Sequence, residues 1–420
     1  MNEFDKQYWE YALALARHDP HQREMQTTVE SCFYPGMLKP GQELQDGIDE
    51  RKMSLLEIVN GTKQLMRHTP QDKYAAFRDA AVKGLNLRAR HFMGESVDVV
   101  TEAREVFGLP YAVMTADEQI TEAYRFLAQE LPGKGSLVER WQNYLEYFRV
   151  PELVNNPALA EKIIRTATKN IRTLVAERFE PDMLPQEEPH LTVVQSAPYA
   201  GRFVFNGRGK PAAFEAVMSN GKTAATMPSH LETALHELWP GHHSQVSRQF
   251  EAAERDGLGI LYGSVIPSPY ITISEGIAMN ARSVTVTDTE FAEIACDLYA
   301  EVGRDISRED ILRFLRLQRS REDATGAAQD NAIIMLLSQK VAAEQVKKYL
   351  QDYGLRNPDQ AQSDAQMFIP AARGALFAYN TGRQAYRQWL NSLGDMQLQR
   401  KGYAMLCRDI VMPNQLPNFS

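Results

Sequence analysis

LHELWPGHHSQ, residues 235–245, holds three of the nine histidines of the chain, and a glutamate directly follows the first of them. The stretch departs from the zinc-binding pattern H-E-x-x-H at one point. Pro240 stands where the second histidine belongs, and His242 and His243 come two and three residues later. In the regular pattern, residues four apart share one helix face, so two imidazoles reach one ion and the intervening glutamate can act as general base. On a straight helix His242 would lie about 120° off the face of His236, and His243 would lie on that face but roughly 10 Å further along. Pro240 removes a backbone donor and crowds the preceding turn, so the helix must kink, bulge or stop there. Gly241 has the backbone freedom to loop out the extra residues and return a histidine to the ion. On this geometry either His242 or His243 can close the site.

The motif helix is predicted to begin with Ser229 as N-cap and Glu232 as its capping-box partner, and to run to Trp239. Just upstream, residues 189–220 read PHLTVVQSAPYAGRFVFNGRGKPAAFEAVMSN, rich in β-branched and aromatic side chains. LTVV, RFVF and FEAVM are predicted strands, with NGRGK as the turn between the last two. Helical periodicity governs most of the remainder. In TEFAEIACDLYAEVGR, residues 289–304, Phe291, Ile294, Ala295, Leu298, Tyr299 and Val302 mark one apolar face. RTATKNIRTLVAERF (165–179), NAIIMLLSQKVAAEQVKKYL (331–350) and much of 50–150 follow the same rhythm. LPGKGS (131–136) and VPELVNNP (150–157) read as turns between helices. The expected fold is mainly α, with a small β-sheet beside the motif helix. It is expected as a single domain over 1–420, with an N-terminal helical part over 1–185 and the sheet and histidine cluster over 186–420.

Bulk properties narrow the partners. Hydrophobic residues make up 44% and charged residues 24% of the chain, ordinary values for a globular protein. A net charge of -8 and a pI near 5.7 give no basic footprint, so nucleic acid is not an expected partner. No apolar stretch approaches the roughly 18 residues that span a bilayer, and no membrane partner is expected. The first thirty residues carry charge throughout and lack the apolar core of a signal peptide. Cys32, Cys296 and Cys407 are odd in number and form no C-x-x-C pair, so they read as buried thiols in a reducing compartment. A cytoplasmic protein is expected; the sequence leaves its oligomeric state open.

A catalytic zinc ion takes three protein ligands and keeps one position for water. YITISEGIAMNAR, residues 270–282, offers the third ligand as Glu275, which comes 39 residues after His236. HELWPGHH followed by SEGIAMNAR resembles the bacterial family named only as domain of unknown function 885, whose members carry HE-x-x-P-G-H-H and then an E-G-W-A-like helix. That family is in turn similar to helical metallocarboxypeptidases of the carboxypeptidase Taq type, with their shorter HE-x-G-H. Alignment on that shorter motif makes Trp239 and Pro240 the inserted pair and His242 the second ligand. PAARGALFAYNTGRQ, residues 370–384, resembles the family's P-x-Q-A-x-x-Y-x-x-G segment, with Arg373 in place of the glutamine. The likeness covers roughly residues 190–390, and Ile277, Met279 and Asn280 depart from the usual E-G-W-A-L-Y.

The resemblance implies a helical zincin-like fold in which His236, His242 and Glu275 hold Zn²⁺. It makes Glu237 the general base and Tyr379 a hydrogen-bond donor to the developing oxyanion. The implied reaction is hydrolysis of an amide bond in a short peptide or small acyl-amino compound. Two other readings stand beside it: a metal-dependent hydrolase of a specialised non-peptide metabolite, and a non-catalytic zinc- or peptide-binding relative. A purely structural metal site has no need of the base that Glu237 provides. Arg202, Arg282 and Arg383 could clamp a substrate carboxylate through their planar forks. His230 reads as a helix-start residue and Cys296 as packing.

Overall fold

The computed structural model describes residues 2–18, 52–197, 199–204, 211–220, 223–262, 268–367 and 373–418. It is mainly helical with one small three-stranded sheet, as the sequence predicts. The N-terminal half contributes α1 (Glu3–Ala16), α2 (Leu55–Met66), α3 (Ala75–Phe92), α4 (Asp117–Glu130), α5 (Leu137–Glu146) and α6 (Pro157–Arg178). The sheet follows as β1 (His190–Val194), β2 (Gly201–Val204) and β3 (Ala213–Val217). Then come α7 (Met227–Glu237), α8 (His242–Asp256), α9 (Pro269–Ala278), α10 (Asp288–Glu301), α11 (Arg308–Leu337), α12 (Ala343–Tyr353), α13 (Thr381–Ser392) and α14 (Met396–Arg408).

Each strand starts one residue earlier than its pattern predicted. β3 is central, parallel to β1 and antiparallel to β2, which leaves β1 and β2 as the edge strands among the described residues. Phe214 and Ala216 of β3 are buried, and α7 packs along β2 and β3. The predicted NGRGK turn falls outside the described residues, as does Cys32.

The periodicity of 289–304 holds in α10, which buries Phe291, Ala295, Leu298 and Tyr299 and is capped by Thr287 and Glu290 in a capping box. Two predicted boundaries move. VPELVNNP is not a plain turn but contains the short helix Pro151–Asn155, because Pro151 sits in a first turn where its missing N–H costs nothing. The run 331–350 is two helices, α11 ending at Leu337 and α12 beginning at Ala343, with Lys340 at φ 56 in the break.

Two hydrophobic cores form among the described residues. One runs from Phe4 to Leu416 and surrounds the sheet and α7; the other gathers Val99, Phe107, Leu127, Ile333, Leu350 and Phe377. The long helix α11 ties them together, giving Ile311, Phe314 and Leu315 to the first and Leu317, Ala328 and Ile333 to the second. Each such fully buried Leu, Ile or Phe contributes about 1.5–3 kcal/mol. Among the described residues, no helix is long and apolar enough to cross a membrane.

Candidate metal centre

α7 is capped by Thr226, not Ser229: the Thr226 hydroxyl accepts the Ser229 N–H at 3.1 Å, and Pro228 occupies the first turn. Glu232 is therefore no capping-box partner. Its carboxylate instead accepts from Gln318 Nε2 at 2.7 Å and Arg282 at 3.3 Å. The helix ends at Glu237, two residues short of the predicted Trp239, and α8 starts at His242. Between them the Trp239–Pro240 peptide is cis. The Pro240 carbonyl accepts from the Tyr403 hydroxyl at 3.2 Å, and the Gly241 carbonyl accepts from the Gln245 N–H at 3.0 Å, opening α8.

This break brings His236, at the end of α7, against His242, at the start of α8. Their ring centroids lie 4.6 Å apart at 81°. Glu275 reaches both from α9, with Oε2 3.4 Å from His236 Nε2 and Oε1 3.7 Å from His242 Nε2. α9 can approach because Gly276 faces Tyr386 of α13, whose ring would lie 2.5 Å from any Cβ there. One ligand atom from each of His236, His242 and Glu275 lies within 4.8 Å of the others. Ser274 Oγ and His242 Nδ1 share a hydrogen bond of 3.1 Å, which leaves Nε2 facing the group.

His243 turns the other way. It is buried between Phe203 and Trp239, with ring centroids 5.1 and 5.9 Å away. Burial, and then the charge of Arg172, push its pKa down to about 3. His230, in the first turn of α7, is likewise buried and pushed down to about 4 by burial.

Burial alone would favour an uncharged Glu275, yet the charge of His242 and the close approach of both His236 and His242 outweigh it and hold the carboxyl far below the usual range. Burial would lower His236 too, but the close approach of the Glu275 carboxylate and the Glu237 and Glu275 charges raise it to about 9. Glu275 Oε2 is buried and makes no hydrogen bond despite its 3.4 Å approach to His236. Two imidazoles and a carboxylate with an unsatisfied oxygen form a donor set that fits zinc.

Glu237 stands beside this group rather than in it. Its Oε2 accepts the Phe203 N–H at 2.9 Å, and its Oε1 lies 3.9 Å from His236 Nε2. All four residues line a cavity of about 920 Å³. Tyr379, which ends the turn Arg373–Tyr379, is 41% exposed on the wall of the same cavity. Arg202, Arg282 and Arg383 line it as well, and so do Arg319 and Arg387, which nothing in the sequence singled out. Arg282 is held by Asp288 at 2.7 Å and Arg383 by Asp323 at 2.7 Å. Arg373 is buried elsewhere, in an ion pair of 2.8 Å with Glu102.

Asp330 was also missed. It is buried on α11, and its Oδ2 accepts from Asn380 at 2.7 Å and Thr381 at 2.6 Å, the two residues after Tyr379. Its one sequence signal is an acidic residue among the buried Ala328, Ala332 and Ile333 of a helical stripe.

No family model matches this sequence, and no curated protein is similar to it. Among solved structures, a candidate lipoprotein from Colwellia psychrerythraea is similar over 87% of this chain, at 14% identity and a TM-score of 0.52. This chain spans 66% of that protein's length. A candidate lipoprotein of unknown function from Shewanella oneidensis matches 86% of this chain and 71% of its own, at 10% identity and a TM-score of 0.43. The first likeness shows a shared fold.

Proposed function

We infer that this protein is a zinc-dependent hydrolase that cleaves an amide bond in a short peptide or a small acyl-amino compound. The observation that carries this reading is the convergence of His236, His242 and Glu275 within 4.8 Å, with Glu237 beside them on a cavity of about 920 Å³. The same residues support membership of the family known as domain of unknown function 885. The free thiols of Cys296 and Cys407 support a reducing, cytoplasmic setting.

A zinc ion held by the three residues would polarise a carbonyl and make water acidic near neutral pH. Glu237 moves the proton. With Oε2 anchored by Phe203, Oε1 takes a proton from water as the water oxygen bonds to the carbonyl carbon. The carboxyl then returns that proton to nitrogen as the C–N bond breaks. The Tyr379 hydroxyl donates to the carbonyl oxygen as negative charge develops there. Gly201, Arg202 and Phe203 of the edge strand β2 border the cavity, so an extended peptide backbone can lie along that edge. The test is a library of short peptides and acyl-amides offered to zinc-loaded protein and to Glu237→Gln. Turnover by the first and not the second supports the reading; no turnover of any amide rejects it.

A further inference from the structure

A second cavity, of about 370 Å³, adjoins the first across Tyr199 and Ala200, and none of His236, His242, Glu237 or Glu275 lines it. Its lining is unbalanced in charge. Arg149 and Arg321 face it together with hydroxyl and amide side chains, but no Asp or Glu does so among the described residues. In the first cavity, by contrast, arginines and carboxylates alternate.

The two arginines differ in their partners. Arg149 is engaged by Glu146 and by Gln142 Oε1, the latter at 3.1 Å. The Arg321 guanidinium lies over the Trp141 ring, 5.1 Å from its centroid, and makes no ion pair with any described residue. Arg321 Nε is sealed from solvent and has no hydrogen-bond partner. Burial, and then the charge of Arg356, pull its pKa down to about 10, so it stays charged at neutral pH. Arg321 is half-buried overall, and Glu322, next to it in sequence, attracts its charge. A sealed guanidinium nitrogen without a hydrogen-bond partner costs stability, and an oxyanion that accepts from it removes that cost. Thr226, the N-cap of α7, and Ser229 face the same space; the Met227 and Ser229 N–H groups are already taken by Tyr299 and Thr226, so the helix adds only the field of its positive end.

We propose that this second cavity binds a small molecule through an oxyanion group, which pairs with Arg321 beside Trp141 at the N-terminus of α7. Carboxylate and phosphate share the chemistry that the site recognises. The volume sits at the small end of ligand pockets, so the ligand is a small metabolite rather than a polymer. Because the site lies outside the metal group, its occupancy does not depend on zinc.

The probes are inorganic phosphate and, separately, succinate, titrated into the full chain both zinc-loaded and after chelation, with melting temperature and tryptophan emission as readouts. We expect at least one anion to raise the melting temperature saturably in both states, with a parallel change in emission from Trp141. Response to phosphate alone, to succinate alone or to both identifies the group taken and supports the site. Arg321→Met should weaken that binding at least about tenfold, the loss expected for a charge-assisted hydrogen bond. Without anion, Arg321→Met should melt at or above the wild type, since a half-buried guanidinium whose sealed Nε has no hydrogen-bond partner has been removed. Gln142→Glu, which brings a carboxylate to the cavity beside Arg149, should weaken the anion equally and decides the matter if Arg321→Met fails to fold. The proposal is overturned by no saturable response to either anion, by unchanged affinity in the variants, or by a response that appears only with zinc bound.

Discussion

Gly241 lies directly against the end of the helix that carries His236: a Cβ on Gly241 would fall 1.9 Å from the His236 carbonyl oxygen and 2.5 Å from that of Leu235. The two-residue insertion in the motif is thus accommodated by folding the chain back onto the last turn of α7. Only a residue without a side chain can pass that close. We expect Gly241→Ala to force His236 and His242 apart, destabilising the fold by about 3 kcal/mol and removing bound zinc. Urea unfolding and elemental analysis check this. A variant of normal stability and zinc content would show that the loop relaxes freely.

Wild-type protein should hold about one zinc per chain, and the ligand set is separable by substitution. His236→Ala, His242→Ala and Glu275→Ala should each leave well under half an equivalent. His243→Ala should keep its zinc but lose about 2–4 kcal/mol, because His243 packs between Phe203 and Trp239 instead of joining the group. Loss of zinc in His243→Ala with retention in His242→Ala would reverse the assignment.

Glu237→Gln keeps the shape of the side chain but cannot take a proton. Near-normal zinc content and melting temperature are expected, with amide turnover lowered at least about a hundredfold. Loss of zinc would make Glu237 a ligand, and unchanged turnover would place the base elsewhere on the cavity wall.

Tyr379→Phe removes the hydroxyl proposed to donate to the developing oxyanion. Its expected effect is a fall in kcat of about 10²-fold, with KM changed little. A rise in KM alone would make Tyr379 a substrate-binding group instead.

Asp330 sets a pH dependence remote from the metal group. Burial raises its carboxyl from 3.8 to about 7, against the opposing hydrogen bonds of Thr381 and Asn380 and the charge of Arg383. The folded state therefore binds the proton more tightly than the unfolded state, and this contribution to stability is lost as pH rises from about 4 to about 7. Asp330→Asn keeps the acceptor without the charge, so its stability relative to the wild type should rise across that window and level off above it. Melting temperatures of both proteins at pH 5 and pH 8 test the sign. A relative fall in Asp330→Asn with rising pH would mean that the charged carboxylate is favoured by the turn at Asn380 and Thr381.

The sequence alone determined what depends on near neighbours. The apolar spacing of Phe291, Ala295 and Leu298 specified a helix, and alternation around Phe214 specified a strand. Pro240 required that the His236 helix kink, bulge or stop there. Each follows from backbone sterics and a repeat of two or 3.6 residues, which act within one element. Local rules do not extend to the relation between elements. They placed the N-cap at Ser229 because it stood three residues before Glu232, but Thr226 capped the helix and Glu232 was drawn to Arg282 and Gln318. On backbone geometry alone both His242 and His243 remained candidates, and the family resemblance favoured His242. The structure brings His242 toward Glu275 because Phe203 and Trp239 enclose His243 and Tyr403 pins the Pro240 carbonyl. Asp330 under the Tyr379 turn and Arg321 over Trp141 likewise come from residues 50 and 180 positions apart. Such pairs form only when the cores close, since their geometry is fixed by long-range packing and not by the backbone of either segment.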